Sequence, residues 1–221
     1  MKRELKILAL LSFLIVAAGA LAVYFYNSGQ SQSSSAPILH GVTLREEFVR
    51  DDSPTLGPKQ ANVTLVEFLD PECESCRAFF PTIKRILKEY EGQIHFVVRY
   101  MPFHSSSLVA IAATEAAALQ GKYWEMQELL FNMADEWGHQ PTPRKDLFIK
   151  YAGSLGLDVA KFTQDLEDPK WVQKAQRDMA DGKLLGVNGT PTLFVNGERV
   201  KNLTYQALKE SITPYLGTQG K

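Results

Sequence analysis

Cys73-Glu74-Ser75-Cys76 places two thiols three residues apart. On a helix that spacing puts both sulfurs on one turn, close enough to bridge. The pair follows Val63 to Leu69, which reads as a buried strand of apolar and β-branched residues interrupted by Glu67. It opens a segment, Cys73 to Tyr90, with Phe79, Phe80, Ile83, Ile86, Leu87 and Tyr90 at helical spacing and Gly92 just past the end. A helix N-terminus presents unpaired N–H groups and a partial positive charge, which favour a thiolate. A free cysteine titrates near about 8.5, and at such positions between about 3.5 and 7.5. Stabilising the thiolate stabilises the reduced dithiol, and so makes the disulfide a better oxidant. Cys73 is therefore expected to be the exposed attacking sulfur, and Cys76, one turn into the helix, the less exposed resolving one.

Other uses of two cysteines fit less well. A disulfide closing so short a loop removes little chain entropy and is a poor staple. Zinc needs a second ligand pair at suitable spacing, which the chain lacks. Haem attachment needs His directly after Cys76, where Arg77 stands. A copper-handling pair stays open, with Met101 and His104 as candidate neighbours, since two thiolates suit cuprous ion.

The elements that must position this pair come from a chain of 221 residues with 24 Lys and Arg against 25 Asp and Glu. That balance gives no electrostatic case for nucleic-acid binding. With 45% hydrophobic and 22% charged residues, the composition is globular. Lys2, Arg3 and Lys6 precede an uncharged stretch from Ile7 to Tyr26, 20 residues long. A helix of that length spans about 30 Å, a bilayer core. Residues 1–26 are thus expected to be a cytoplasmic stub and a transmembrane signal-anchor, the rival being a cleaved signal peptide. Either sends the rest of the chain out of the cytoplasm, where disulfides persist. Residues 27–37 are rich in Ser, Gln and Gly and read as a flexible linker. Residues 38–221 are long enough for one sizeable core.

Further elements follow from pattern. Ile94 to Tyr100 reads as a second strand, Leu108 to Leu119 and Trp124 to Met133 as helices, and Thr142-Pro143 as the N-cap and first position of a helix reaching about Tyr151. Asp158 is placed to cap a short helix, and Trp171 to Leu185 forms another. Thr192 to Val195, Asn196-Gly197 and Glu198 to Lys201 read as a hairpin. Thr204 caps a last helix running to about Tyr215. This order predicts an α/β sheet domain with a helical insertion.

The chain resembles the DsbA-like extracytoplasmic thiol-disulfide oxidoreductases of the thioredoxin superfamily. The stretch from Val63 through Asp70-Pro71-Glu72 to Cys76 is similar to that family's active-site strand and helix start, and Pro81 to its helix proline. Asp51-Asp52-Ser53-Pro54, Tyr100 to His104, Gln120 to Trp124, and the segment from Gly189-Thr190-Pro191 to Gly197 carry the likeness further. It covers about Leu44 to Tyr215. The resemblance implies a thioredoxin-like fold with a helical insertion at about 105–182 that helps bind clients. It implies Cys73 and Cys76 as the redox pair, with Glu67 as a buried acid beneath Cys76 that shuttles protons. Thr190 and Pro191 are then a cis-proline segment facing the cysteines and pairing with client backbone, with Glu74 and Ser75 beside it. No cofactor or metal is implied. The expected partners are exported cysteine-containing proteins and a membrane redox partner, either a quinone-linked reoxidase or a thiol reductant. The expected location is the inner membrane, single pass, with the catalytic domain on the periplasmic side. The expected function is disulfide exchange with exported clients. Reduction or isomerisation of such clients, and a non-enzymatic copper-binding or client-holding module, remain as alternatives. In strong DsbA-type oxidants Pro-His separates the cysteines. Glu74-Ser75 here adds a negative charge beside Cys73, which predicts a less oxidising disulfide.

Single residues read from the sequence alone are less determined. Glu67 could instead be an edge-strand residue facing solvent. Arg99 reads as surface-facing, with pairing to an acid as the alternative. His104 reads as a loop or capping residue, with a place lining the cleft as the alternative, and His40, His95 and His139 as surface or packing residues. Trp124, Trp137 and Trp171 read as core.

Overall fold

A computed structural model describes residues 38–39, 42–43 and 46–216. The expected membrane anchor (1–26) and linker (27–37) lie outside the described residues. In chain order the elements are β1 (Ile38–Leu39), β2 (Val42–Thr43), β3 (Thr55–Leu56), β4 (Val63–Leu69), α1 (Glu74–Glu89), β5 (Ile94–Tyr100), α2 (Ser107–Ala118), α3 (Tyr123–Asn132), α4 (Ala134–Trp137), α5 (Lys145–Ser154), α6 (Val159–Leu166), α7 (Lys170–Leu184), β6 (Thr192–Val195), β7 (Glu198–Arg199) and α8 (Tyr205–Ile212). A short 3₁₀ turn, Thr213–Tyr215, follows. Among the described residues no helix is long and apolar enough to cross a membrane.

Strands β3 to β7 form one sheet in the order β3-β5-β4-β6-β7, and β1 pairs with β2 separately. Strands β4 and β5 run parallel, joined by α1, while β6 lies antiparallel on the other side of β4. Every residue of β4 and β5 is buried, as their near-continuous apolar runs require for strands covered on both faces. Alternation sorts the two layers. Val63, Leu65 and Leu69 pack with Ile83 and Ile86 of α1 and Leu208 of α8. Val66 and Phe68 face the other way, with Val97, Met101 and Phe194. Helix α7 closes on that second layer so tightly that a Cβ on Gly182 would stand 2.7 Å from Met101 Sδ. Asn196 and Gly197, both at positive φ, make the tight β6–β7 turn expected of that dipeptide.

Six helices separate β5 from β6 and carry their own core around Met126, Leu130, Trp137, Phe148 and Phe162. Asp158 and Thr204 cap α6 and α8 by accepting from Lys161 N and Ala207 N. Helix α5 corrects the expected Thr142 cap. It starts at Lys145 with Arg144 as its N-cap, and the Arg144 side chain holds Asp146 of the first turn through both carboxylate oxygens, at 2.9 and 2.8 Å.

Arg99 is a second correction, being fully buried rather than surface-facing. Its guanidinium donates to Asp178 Oδ1 at 3.0 and 2.8 Å and to Asp181 Oδ2 at 2.5 Å, both on α7. Asp178 also accepts Tyr100 N. Arg50 reaches the same Asp181 at 2.6 Å. A buried arginine survives only with such partners, and here they fasten the helical segment to the sheet.

Candidate active site

Cys73 is the N-cap of α1, with extended backbone, and its carbonyl accepts Arg77 N. The thiol lies where the N–H groups of Ser75 and Cys76 point. Its pKa is lowered to about 5, chiefly by a hydrogen bond from Cys76, against the opposing pull of burial. Contacts with the Thr190 side chain and the two N–H groups add to the lowering. Cys76 is pushed up instead, first by burial, then by its bond to Cys73 and the charge of Glu67. The two thiols are thus split into one that ionises readily and one that holds its proton. Cys76 retains 1% exposure, as expected of a resolving sulfur, but Cys73 retains only 8%. The expected exposure of Cys73 is therefore corrected: the segment before β6 leans over it.

That segment carries the Thr190–Pro191 peptide, which is cis. When protonated, Cys73 Sγ donates to the Thr190 carbonyl at 3.4 Å, across 117 residues of sequence. Pro191 stands just before β6, where a residue with no N–H interrupts no ladder bond. Ser75 and Glu74 lie exposed on the first turn of α1.

Glu67 sits on β4 opposite Val98 and Leu193, 3% exposed, so the solvent-facing reading fails. Burial, then the charge of Cys73, raises its pKa to about 8. Its charge is felt at Cys76 as well, which places the acid within electrostatic reach of both sulfurs. A folded-state value above the ordinary carboxylate range means that stability is full below about pH 4.5 and lost as pH rises to about 8. At pH 7 that loss is on the order of 3 kcal/mol, at about 1.36 kcal/mol per unit. Glu67→Gln should flatten this slope in urea unfolding of the disulfide form, where burial acts without the Cys73 charge. A slope that survives the substitution would remove Glu67 as its source.

Two neighbours of the pair, Asp70 and Glu72, escape sequence reasoning. Asp70, fully buried, accepts from Glu72 N (2.9 Å), Phe103 N (2.7 Å), Ser107 Oγ (2.5 Å) and the backbone and ring of His104. Glu72, also buried, accepts Ser106 N at 2.6 Å and His139 N at 2.7 Å. Two carboxylates of the cysteine turn thus pin the loop after β5 and the loop after α4. The signal was present in Asp70-Pro71-Glu72, two acids in a turn after an apolar strand, but their partners in other loops are 33 to 67 residues away. A cleft of about 270 Å³ opens here, lined by Cys73, Glu74, Arg77, Asp135 and His139 among others. Met101 packs on the opposite face of the sheet, which separates it from the cysteine pair. Among the described residues no group of three His, Cys, Asp or Glu is set to hold a metal ion.

Comparison with known proteins places this geometry. Residues 50–213 match the thioredoxin family. A thioredoxin-like oxidoreductase from Silicibacter pomeroyi superposes with a TM-score of 0.66 at 26% identity, covering 77% of this chain and 96% of that one. Oxidised BdbD from Bacillus subtilis gives a TM-score of 0.65 at 26% identity, covering 74% and 92%. Among curated relatives, the Na(+)/H(+) antiporter NhaA of Herminiimonas arsenicoxydans is 34% identical over 145 residues, 66% of this chain and 22% of that protein. The chain spans about a fifth to a quarter of the length of the first such relatives it matches.

Proposed function

This chain belongs to the thioredoxin family, and from that premise we propose that it is a DsbA-like thiol-disulfide oxidoreductase acting on exported cysteine-containing proteins. The observation that carries the reading is the split pair: a low-pKa sulfur at a helix tip touching the Thr190 carbonyl, and a buried sulfur that keeps its proton. The likeness to an oxidoreductase and to BdbD supports it.

This reading gives a two-step exchange. A client thiolate attacks Cys73 Sγ of the Cys73–Cys76 disulfide, and Cys76 leaves as a thiolate. Protonated Glu67 supplies its proton. A second client thiolate attacks the client sulfur of the mixed disulfide, and Cys73 leaves as a thiolate. The client loses two electrons and the pair gains them. A leaving thiolate of low pKa departs faster, which favours this direction over reduction. The Thr190 carbonyl, beside the attacked sulfur, is placed to accept an N–H from an extended client strand. The 270 Å³ cleft takes the side chain next to the client cysteine. The reading places the domain on the extracytoplasmic side of the inner membrane, tethered by residues 7–26, with a quinone-linked membrane reoxidase or, in reverse, a thiol reductant closing the cycle.

Cys76→Ala in the full chain, expressed in cells, should accumulate mixed disulfides on Cys73. Attached exported proteins and a quinone-linked membrane protein are the expected result. Attachment to cytoplasmic proteins alone, or to none, would contradict the reading.

A further inference from the structure

Glu74 follows Cys73 and its carboxylate shares the cleft with that sulfur. Two imidazoles stand at the same rim. His104, in the loop after β5, donates from Nδ1 to the buried carboxylate of Asp70 at 2.7 Å. His139, in the loop after α4, bonds Glu74 Oε1 through Nε2 at 2.9 Å. The rings meet edge to face, 5.4 Å between centroids. His139 is held at φ +54, a conformation uncommon for a residue other than glycine, and its N–H is fixed by Glu72. Backbone outliers of that kind persist where the surroundings impose them, often at functional sites.

We propose that His104 and His139 are positioning residues for the Cys73 thiolate: the helical segment delivers them to the tip of α1, where their positive charge offsets Glu74 and holds the sulfur ionised. The inference rests on the thiol-exchange reading above and deepens it. The charged groups facing the two rings are Asp70 and Glu72 from the turn before α1, Glu74 and Arg77 from α1, Asp135 from α4, and Cys73 itself. Arg77 is paired with Asp135 at 2.6 Å, and His139 is the residue that bonds Glu74 directly. Partial burial works against a charged His104. The bond and charge of Asp70, with Cys73 and Glu72 adding, nevertheless raise its pKa above the ordinary range. Glu74 is lowered by its backbone N–H and then by the charge of His139, with His104 contributing. Asp70, His104, His139 and Glu74 are thus linked by hydrogen bonds and a ring contact beside the attacking sulfur.

The test uses the full-length protein and the variants H104N, H139N and their combination. Asn tolerates the positive φ at position 139 and can still donate to Asp70 from position 104, but carries no titrating charge. Two quantities are read: thiolate absorbance of reduced Cys73 against pH, and the equilibrium constant with glutathione from pH 6 to pH 9. The combined variant should raise the thiolate midpoint by about 0.5–1 unit, which from a value of about 5 is a shift of about three- to fivefold in the glutathione constant at pH 6 toward a less oxidising disulfide. The shift should shrink toward pH 9, where an imidazolium has lost its proton. In a Glu74→Gln background H139N should move the midpoint by less than about 0.3 unit, a twofold change in the ionisation constant. A folded combined variant with both quantities unchanged, or with an offset equal at all pH values, would overturn the proposal. The single variants decide it in the same way if the combination does not fold. A wild-type pair that never exchanges with glutathione would count against the function, while the thiolate titration would still decide the role of the rings.

Discussion

Cys73→Ser is expected to cut disulfide exchange by at least about a thousandfold, because a hydroxyl is neither ionised near neutral pH nor able to form a mixed disulfide. Cys76→Ala should behave differently. Cys73 keeps its helix-tip N–H groups and its Thr190 contact, but loses the Cys76 hydrogen bond, the largest cause of its acidity. Attack on a pre-formed client disulfide should persist at reduced rate, with the product stopping at the mixed disulfide. Single-turnover assays with a peptide carrying one cysteine pair separate the two cases by the species that accumulates. Equal residual activity in both variants would mean that the two sulfurs do not have distinct roles.

The second large effect is a pH-dependent gap in stability between the reduced and disulfide forms. Cys73 titrates at about 5 in the fold and near about 8.5 when unfolded. A depressed value contributes stability that is complete above the unfolded pKa and lost as pH falls through the folded one. At pH 7 the thiolate should add on the order of 2–3 kcal/mol to the reduced form, at about 1.36 kcal/mol per unit. The disulfide form lacks that titration, so the reduced form should gain on it by roughly 5 °C or more in Tm between pH 5 and pH 8. Following the change with pH cancels the fixed contribution of the disulfide loop itself. Glu67 moves both forms the same way, with a smaller slope in the disulfide form. A difference in Tm that stays constant from pH 5 to pH 8 would show that the thiolate is not stabilised by the fold.

Much of the fold was legible because its central elements are locally consistent. The apolar run of β4, the helical spacing after Cys73 and the Asn196-Gly197 turn each specify one conformation regardless of distant partners. The two-residue strand β3 carries too little pattern to be seen. Thr142-Pro143 has the composition of a helix start, but the helix starts at Lys145, with Arg144 as its cap and bonded to Asp146. Arg99 looked like a surface residue because its acids, Asp178 and Asp181, are about 80 residues away. The candidate site divides along the same line. Cys73, Cys76, Glu67, Thr190 and Pro191 stand in or beside recognisable segments, and the structure brings the two sulfurs, the acid and the Thr190 carbonyl together. The carboxylates that hold the site's outer wall, Asp70 and Glu72, act on backbone N–H groups of other loops, and no residue type announces a backbone partner. His104 and His139 acquire their place only through those bonds.

The claim on which the rest depends is that Cys73 and Cys76 form a reversible redox pair. Equilibration of the full-length protein across a series of glutathione redox buffers, with the thiol and disulfide forms separated after acid quench, tests it directly. The expected result is a single two-electron transition between Cys73–Cys76 dithiol and disulfide. Its midpoint should lie between about −120 mV, the value of the strongest oxidant of this type, and about −270 mV, that of thioredoxin. Thiols that stay reduced, or stay bridged, across that whole window would contradict the account.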